Sequence, residues 1–242
     1  GKGVGTPPIV PAPPPAPTVS FTASAPPHPC RIIDIPATTG YGEPIQKLFK
    51  LKDGERIVGA VSMDERVTRP ADIAADTKNP DKPPKRHGLA VTDDGYAVRF
   101  GVEMYKEIST RAGRRCARPA GAARVALASV IGGRETIICA SKERRALLCR
   151  ADEVNFLAGP GKGVLLIKLG KDDRLMGAIT ATDDRDTLTV KTSMGGEQRI
   201  NTARYKTTGR GGKGHEFVSR GQIVEVIHEK PTAPALFEEQ GK

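Results

Sequence analysis

Three glycine-rich basic segments recur along the chain, and their residue types suit the binding of phosphate. They are residues 111–115 (RAGRR), 159–163 (GPGKG) and 210–214 (RGGKG). Glycine lets the main chain approach a ligand and leaves amides accessible, while Arg and Lys neutralise phosphate charge. The predicted binding residues in and around these segments are Arg111, Arg114, Arg115, Arg118, Lys162, Lys206, Arg210, Gly211, Gly212 and Lys213.

The distribution of charge supports this interpretation. The chain of 242 residues has a formal net charge of +10, and residues 101–150 alone hold nine Arg and two Lys against four Glu. A solvated β-surface is also often charged, so an unspecialised surface stays an alternative. However, the excess is mostly Arg, which suits bidentate phosphate contacts. Basic segments at equivalent places of a repeat would form a curved positive track, which suits a bent DNA duplex.

An internal repeat in the chain predicts three β-hairpins. Residues 89–105 align with residues 138–154 at an offset of 49 and with residues 189–205 at an offset of 100. The coincident residues include Thr92, Ser141 and Thr192, the turn glycines Gly95 and Gly195, the arginines Arg99 and Arg199, and Tyr105 and Tyr205. Arg144 stands at the turn glycine's position in the middle copy. Each window therefore predicts a strand, a tight turn and a second strand.

The repeat predicts an all-β fold with radial blades. Helical periodicity is nearly absent, and short strand-like runs alternate with Gly- or Asp-rich turns. Units of about 50 residues with about four strands are typical of such architectures. Residues 55–60 also match residues 173–178, so three near-complete blades and a partial fourth are expected. The strand-like runs that follow the three basic segments are expected to be equivalent: residues 124–128, 164–169 and 216–219.

The composition divides the chain into a linker, one domain and a tail. Ten of the 20 prolines precede residue 30, which predicts a Pro-rich linker over residues 1–29. The domain is expected over residues 30–230, with an exposed loop insertion at 66–87 and a tail at 231–242. No apolar run approaches the length of a membrane helix, and no signal-peptide pattern is present. The first residue is Gly rather than Met, which indicates a piece of a longer protein.

The four cysteines and four histidines do not form a metal-binding pattern. There is no C-x-x-C pair, and the histidines lie far apart in the sequence. We therefore expect a reduced, cytoplasmic, metal-free chain. The pairs Asp93-Asp94 and Asp183-Asp184 lie in turn-like contexts, where Asp is ordinary. Lys213 is not part of a phosphate-binding P-loop, because Thr207 stands where that motif requires a glycine.

One of the basic segments resembles a known family motif. Residues 208–214 (TGRGGKG) resemble the seven-residue box Gln-Arg-Arg-Gly-Gly-Lys/Arg-Gly of the C-terminal domain of the DNA gyrase A subunit. Residues 35–58 also resemble a blade of gyrase A and topoisomerase IV A-type subunits. The resemblance extends over residues 30–229. It implies a β-pinwheel, whose blades exchange strands and whose basic rim binds double-stranded DNA.

The departures from the box favour a topoisomerase-IV-like or divergent gyrase A subunit. Thr208 replaces Gln, Gly209 replaces the first Arg, and the best box lies in the last complete repeat rather than the first. The resemblance implies a bacterial, cytoplasmic, nucleoid-associated protein whose partners are the rest of the A subunit and the ATPase B subunit. ATP and Mg²⁺ belong to that holoenzyme, and no cofactor is expected in this chain. The sequence does not decide between gyrase and topoisomerase IV.

No residue is predicted to be catalytic. Ala203-Arg204-Tyr205 resembles the Arg-Tyr pair that carries the DNA-cleaving tyrosine of type IIA topoisomerases, but Tyr205 aligns with Tyr105 inside the repeat. We therefore expect Tyr205 to be a structural blade residue and the cleavage core to lie outside this chain. The main alternative is a protein-interaction propeller that binds no nucleic acid. A small intact enzyme is disfavoured, because no acid-base, nucleophile or metal constellation is present.

Overall fold

The computed structural model describes residues 17–23, 28–31, 56–106 and 115–228. In this part of the chain, fifteen strands form four successive repeat units. The units are β1 (Pro17–Thr22), β2 (His28–Arg31) and β3 (Ile57–Ser62); β4 (His87–Thr92), β5 (Tyr96–Phe100) and β6 (Val125–Ile131); β7 (Thr136–Ser141), β8 (Arg145–Arg150), β9 (Phe156–Leu157), β10 (Val164–Leu165) and β11 (Leu175–Ala181); and β12 (Leu188–Thr192), β13 (Glu197–Ile200), β14 (His215–Glu216) and β15 (Ile223–Ile227).

The strands form four sheets, which we call blades 1 to 4, and neighbouring blades exchange strands. The strand orders are β2-β1-β3, β10-β5-β4-β6, β11-β7-β8-β14 and β13-β12-β15. Pairing within these orders is antiparallel, and β9 adds parallel to β5. The short strands β10 and β14 each belong to one repeat but pair with the hairpin of the preceding repeat. The predicted all-β pinwheel is therefore confirmed.

Each of the three hairpin turns in blades 2, 3 and 4 is closed by a buried hydroxyl group. Thr92, Ser141 and Thr192 accept hydrogen bonds from the N–H of the residue four positions on, at 3.2–3.3 Å. The predicted hairpins are thus present at all three positions of the repeat. The third turn residue has a positive φ in each: 86° at Gly95, 65° at Arg144 and 86° at Gly195. Arg144 therefore adopts the left-handed conformation, which costs a non-glycine residue about 1–2 kcal/mol of conformational free energy.

A repeated set of main-chain hydrogen bonds connects the blades around a common axis. The N–H of the first residue of an inner strand donates to a carbonyl in the hairpin turn of the preceding blade. The bonds run from Val125 to Ala23 at 2.8 Å, from Leu175 to Asp93 at 2.8 Å and from Ile223 to Lys142 at 2.9 Å. The inner strands are β3, β6, β11 and β15. They approach closely, since a Cβ on Gly59 would lie 1.9 Å from the Ala128 carbonyl oxygen.

The hydrophobic core lies between adjacent blades. One cluster joins blades 1 and 2 and contains Phe21, Phe100 and Tyr105, whose rings meet edge to face at centroid distances of 5.9–6.2 Å. A second joins blades 2 and 3, with Leu89 and Leu147, and a third joins blades 3 and 4. Because apolar burial stabilises the fold chiefly through these contacts, each blade depends on its neighbour.

Several predicted boundaries are wrong. Residues 1–29 are not a linker throughout, because Pro17–Thr22 forms β1 and buries Val19 and Phe21. The alternating sequence TVSFT has the period of a half-buried strand. The 66–87 insertion contains a single-turn helix, α1 (Pro70–Ile73), and Ile73 is 1% exposed. Residues 1–16, most of the blade-like segment 35–58 and the predicted tail lie outside the described residues.

The predicted equivalence of the strands after the basic segments is also wrong. β6, which contains residues 125–128, is an inner strand, whereas β10 and β14 are short outer strands on the preceding blade. The structural equivalents of β6 are β11 and β15.

No helix in the described part of the chain is long and apolar enough to cross a membrane.

Candidate nucleic-acid interface

The last basic segment, residues 210–214, is a loop that docks on the preceding repeat and leads into β14. The Thr208 N–H donates to the Leu148 carbonyl at 2.7 Å, and the Gly211 N–H donates to the Leu166 carbonyl at 2.6 Å. The Gly212 carbonyl accepts the Lys168 N–H at 2.8 Å. The Gly211 amide, which the sequence suggested would be accessible to a ligand, is therefore used within the protein.

The glycine that ends each loop is required for packing. Gly163 and Gly214 have φ values of 79° and 70°, and a Cβ would lie 2.0 Å from the Ala97 oxygen or 2.5 Å from the Ala146 oxygen. These carbonyls belong to the hairpin strands on which β10 and β14 pair. Glycine at this position thus allows the short strand to reach the preceding blade.

Arg210 anchors its loop. Its Nε donates to the Glu153 carbonyl at 2.9 Å and its Nη1 to the Leu165 carbonyl at 3.3 Å, while its main-chain N–H donates to Glu153 Oε2 at 3.1 Å. The side chain remains exposed. Arg210 therefore has a positioning role that the sequence did not indicate, in addition to placing a positive charge at the surface.

The lysines of the two described loops differ in their surroundings. Lys162 and Lys213 follow the third residue of their loops and are exposed. The Lys162 Nζ lies 3.9 Å from the centroid of the Tyr96 ring, a cation–π contact with the preceding repeat. Lys213 and Lys206 are exposed and make no ion pair with the described residues.

The first basic segment is only partly described. Arg111 and Arg114 lie outside the described residues, whereas Arg115 and Arg118 are exposed. The Arg118 N–H donates to the Gly161 carbonyl at 2.9 Å, and Ala117 forms a parallel bridge with Gly161. This hydrogen bond repeats the one between Lys168 and Gly212. Arg118 and Lys168 therefore hold equivalent places, each beside the lysine-bearing loop of the next repeat.

These contacts join the three segments into one surface, which we call the basic band: residues 115–118, 159–168 and 206–214. The band contains seven basic residues and no Asp or Glu. The basic residues are Arg115, Arg118, Lys162, Lys168, Lys206, Arg210 and Lys213. Lys168 was missed by sequence analysis, because its equivalence to Arg118 depends on hydrogen bonding between repeats. The arrangement can neutralise a row of negative charges.

The other candidate groups in the described chain are structural. Tyr205 packs against the cluster between blades 3 and 4. Asp93 accepts the main-chain N–H of Arg124, which directly precedes β6, and Asp183 accepts that of Arg185 within its own turn. Burial raises the pKa of the Cys116 and Cys149 thiols to about 12, so both are protonated at neutral pH. Neither thiol is therefore activated as a nucleophile.

Comparisons with known proteins identify the fold. Residues 89–117 and 135–182, about a third of the chain, match the family model for the DNA gyrase C-terminal domain, beta-propeller. No curated protein sequence matches the chain. The matched segments include Arg115, Lys162 and Lys168 of the basic band. The resemblance to C-terminal domains of topoisomerase A subunits is thereby confirmed.

Three solved structures are similar over 89% of this chain. The C-terminal domain of DNA topoisomerase IV has 15% identity and a TM-score of 0.72, with 64% of that chain covered. The DNA gyrase A C-terminal domain has 19% identity, a TM-score of 0.62 and 66% coverage. The E. coli ParC C-terminal domain has 18% identity, a TM-score of 0.62 and 82% coverage. The chain thus spans slightly less than two thirds of the first two structures.

Proposed function

We propose that this chain is a DNA-holding domain of an A-type subunit of a type II DNA topoisomerase. The observation that supports this most directly is the continuity of the basic band across repeats. The hydrogen bonds from Arg118 to Gly161 and from Lys168 to Gly212 place a basic residue beside the lysine of the next loop. Like charges brought together in this way repel one another, and a polyanion would relieve that repulsion.

The proposed ligand is double-stranded DNA bound through its phosphates. The band contains Lys and Arg on glycine-rich loops, with Tyr96 partly covered by Lys162. Contacts of this kind position a duplex but do not distinguish base sequences. The domain would therefore hold a bent segment of any sequence and present it to a cleavage core outside this chain.

The wider assembly follows from the family resemblance. The partners would be the rest of the A subunit and the ATPase B subunit, in the bacterial cytoplasm at the nucleoid. ATP and Mg²⁺ would act in those parts of the holoenzyme. The altered box favours weak wrapping of the topoisomerase IV kind, since Thr208 and Gly209 replace an amide side chain and an arginine.

Salt-dependent duplex binding tests the proposal. The logarithm of the association constant should fall with the logarithm of salt concentration by about 0.9 per phosphate neutralised. In a variant combining Lys168→Ala with Lys213→Ala, the slope should decrease by about 1.8, with similar loss of affinity for different sequences. Arg185→Ala is the matched control, because Arg185 pairs with Asp183 at 2.7 Å outside the band. A salt-independent or absent interaction would instead favour a protein-interaction propeller.

A topological assay tests the finer proposal of weak wrapping. Tight wrapping constrains a DNA crossing and shifts the linking number of circles that are ligated in its presence. Stiff DNA straightens wherever a contact is missing. Nicked circles ligated in saturating protein should therefore give topoisomers centred close to the protein-free distribution. A large positive shift that grows with protein concentration would favour a gyrase-like domain.

A further inference from the structure

A cavity of about 490 Å³ lies where the four blades meet, and it is separate from the basic band. All four blades contribute residues to its lining. These residues include Arg56, Arg124, Arg174 and the segment Val224–Val226. It lies at the start of the inner strands, on the side of the hairpin turns. A cavity of this volume is in the range that binds small molecules, roughly 300–1,000 Å³.

The three arginines occupy one equivalent position in blades 1, 2 and 3. Each is the residue directly before an inner strand. Its carbonyl accepts an N–H from the hairpin turn of the same blade. The distances are 3.0 Å from Ala23 to Arg56, 2.8 Å from Asp93 to Arg124 and 2.9 Å from Lys142 to Arg174. The fold therefore places three arginines around the same cavity.

Within the described part of the chain, these three arginines have none of the acidic ion-pair partners that several other arginines have. Arg66, Arg150 and Arg185 each pair with an Asp two residues away, at 2.6–2.8 Å. At the cavity, Asp93 Oδ1 accepts the Arg124 main-chain N–H, and Asp173 Oδ1 accepts that of Arg174, both at 2.8 Å. No ion pair among described residues involves the three cavity arginines.

The wall contributed by blade 4 adds an apolar surface. Val224 is 51% exposed, and it is one of two large hydrophobic side chains that the described structure leaves so exposed. Met176 and Val226 also line the cavity, as do the titratable groups of Asp93, Glu225 and His228. A ligand that carries several negative charges and one apolar, planar part would match both the arginines and this wall.

We propose that the axial cavity binds a nucleoside polyphosphate, with its phosphates on Arg56, Arg124 and Arg174 and its base against Val224. Charge-assisted hydrogen bonds from Arg are the strongest available to a phosphate. The cavity is much smaller than a DNA duplex, so this ligand is distinct from the one proposed for the basic band. Glu225 opposes the binding of an anion and limits its affinity.

Calorimetric titration of the full chain with ATP, tripolyphosphate and adenosine, without DNA, tests the proposal. ATP should bind most tightly, because it alone has both parts. Combining Arg124→Ala with Arg174→Ala should weaken ATP binding by at least about 100-fold, from two lost charge-assisted bonds. Val224→Ser should weaken ATP more than tripolyphosphate, and Glu225→Gln should tighten both. Arg185→Ala should change neither.

Thermal unfolding of the variants shows whether a loss of binding reflects a loss of fold. The substitutions retain the main-chain hydrogen bonds that Arg124 and Arg174 make, in which their carbonyls accept and their N–H groups donate, so the melting temperature should be unchanged. Equal ATP binding by the parent chain and the double arginine variant would overturn the proposal. So would loss of ATP binding in the Lys168→Ala, Lys213→Ala variant, or tripolyphosphate binding as tight as that of ATP.

Discussion

The loops at residues 159–163 and 210–214 have the same final three residues, Gly-Lys-Gly, and differ in the first two. Both loops end at a glycine that lets a short strand reach the preceding blade, and both accept a main-chain N–H at their third residue. Gly159 and Pro160 stand where the later loop has Arg210 and Gly211. The shared half of the loop therefore builds the fold, and the variable half determines how firmly the loop is anchored.

Anchoring and charge change together between the two loops. In the later loop, Arg210 and Gly211 make hydrogen bonds to residues 153, 165 and 166 of the preceding repeat. Pro160 has no N–H and cannot make the bond that Gly211 makes. The earlier loop instead places Lys162 on the Tyr96 ring. A loop can thus be held by an arginine at its start or by a lysine near its end. In the second arrangement, the Tyr96 ring covers one side of the Lys162 ammonium group, which is then less available to a ligand.

The largest expected effect is on the shared half of the loops. Gly163→Ala should destabilise the protein by at least about 3 kcal/mol and Gly214→Ala by about 2 kcal/mol, because both combine a positive φ with overlap of a carbonyl. The overlap is closer at Gly163, 2.0 Å against 2.5 Å. Urea unfolding measures both. Gly159→Ala is the control and should not destabilise, since a Cβ there meets nothing within 4 Å.

The next effect concerns the anchor. Arg210→Ala should lower the free energy of unfolding by about 1–2 kcal/mol, since two hydrogen bonds from a charged group to main-chain carbonyls are lost. Arg210→Lys should not restore stability, because an ammonium group cannot reach both carbonyls in the geometry of a guanidinium. Chemical unfolding checks both variants. Undiminished stability in Arg210→Ala would show that Arg210 serves only as a surface charge.

Local chemistry explains why the hairpins could be predicted from the sequence. A buried Thr or Ser and a turn residue with positive φ lie within four positions of each other, so their spacing is visible in the repeat. The basic segments were visible for the same reason. The exchange of β10 and β14 was available only from the family resemblance, because a strand of two residues has no periodicity that indicates its partner.

Contacts between repeats explain what could not be predicted. Arg99 and Arg199 align in sequence, yet Arg99 is 8% exposed and donates to the Val154 carbonyl at 2.6 Å, whereas Arg199 is exposed. The difference arises because residues 152–157 of the third repeat cover Arg99, β9 pairing with its strand, whereas no described strand pairs with the free edge of β13. Arg124 was likewise missed as the equivalent of Arg56 and Arg174, since their shared hydrogen bond is formed only in the folded chain.

A substitution in the earlier loop tests whether an added positive charge there strengthens DNA binding. Gly159→Arg places an arginine at the position of Arg210, and its Cβ meets open space. If the added charge reaches a phosphate, the logarithmic salt slope of duplex binding should steepen by about 0.9. Affinity should rise by a similar factor for every sequence. Gly159→Gln is the uncharged control, and an equal gain with Gln would exclude a charge effect.

The smallest effect should separate the two lysines. Lys162→Ala should lower the free energy of unfolding by about 0.5–1 kcal/mol, because it removes an exposed cation–π contact with Tyr96. Lys213→Ala should leave it within about 0.5 kcal/mol of the parent value, since Lys213 makes no such contact with the residues that the structure describes. Thermal or urea unfolding provides the comparison. A double-mutant cycle with Tyr96→Leu isolates the interaction: the coupling should be present for Lys162 and absent for Lys213. Equal coupling for both lysines would mean that the two loops hold their cations alike, and the distinction between an occupied and an available lysine would be lost.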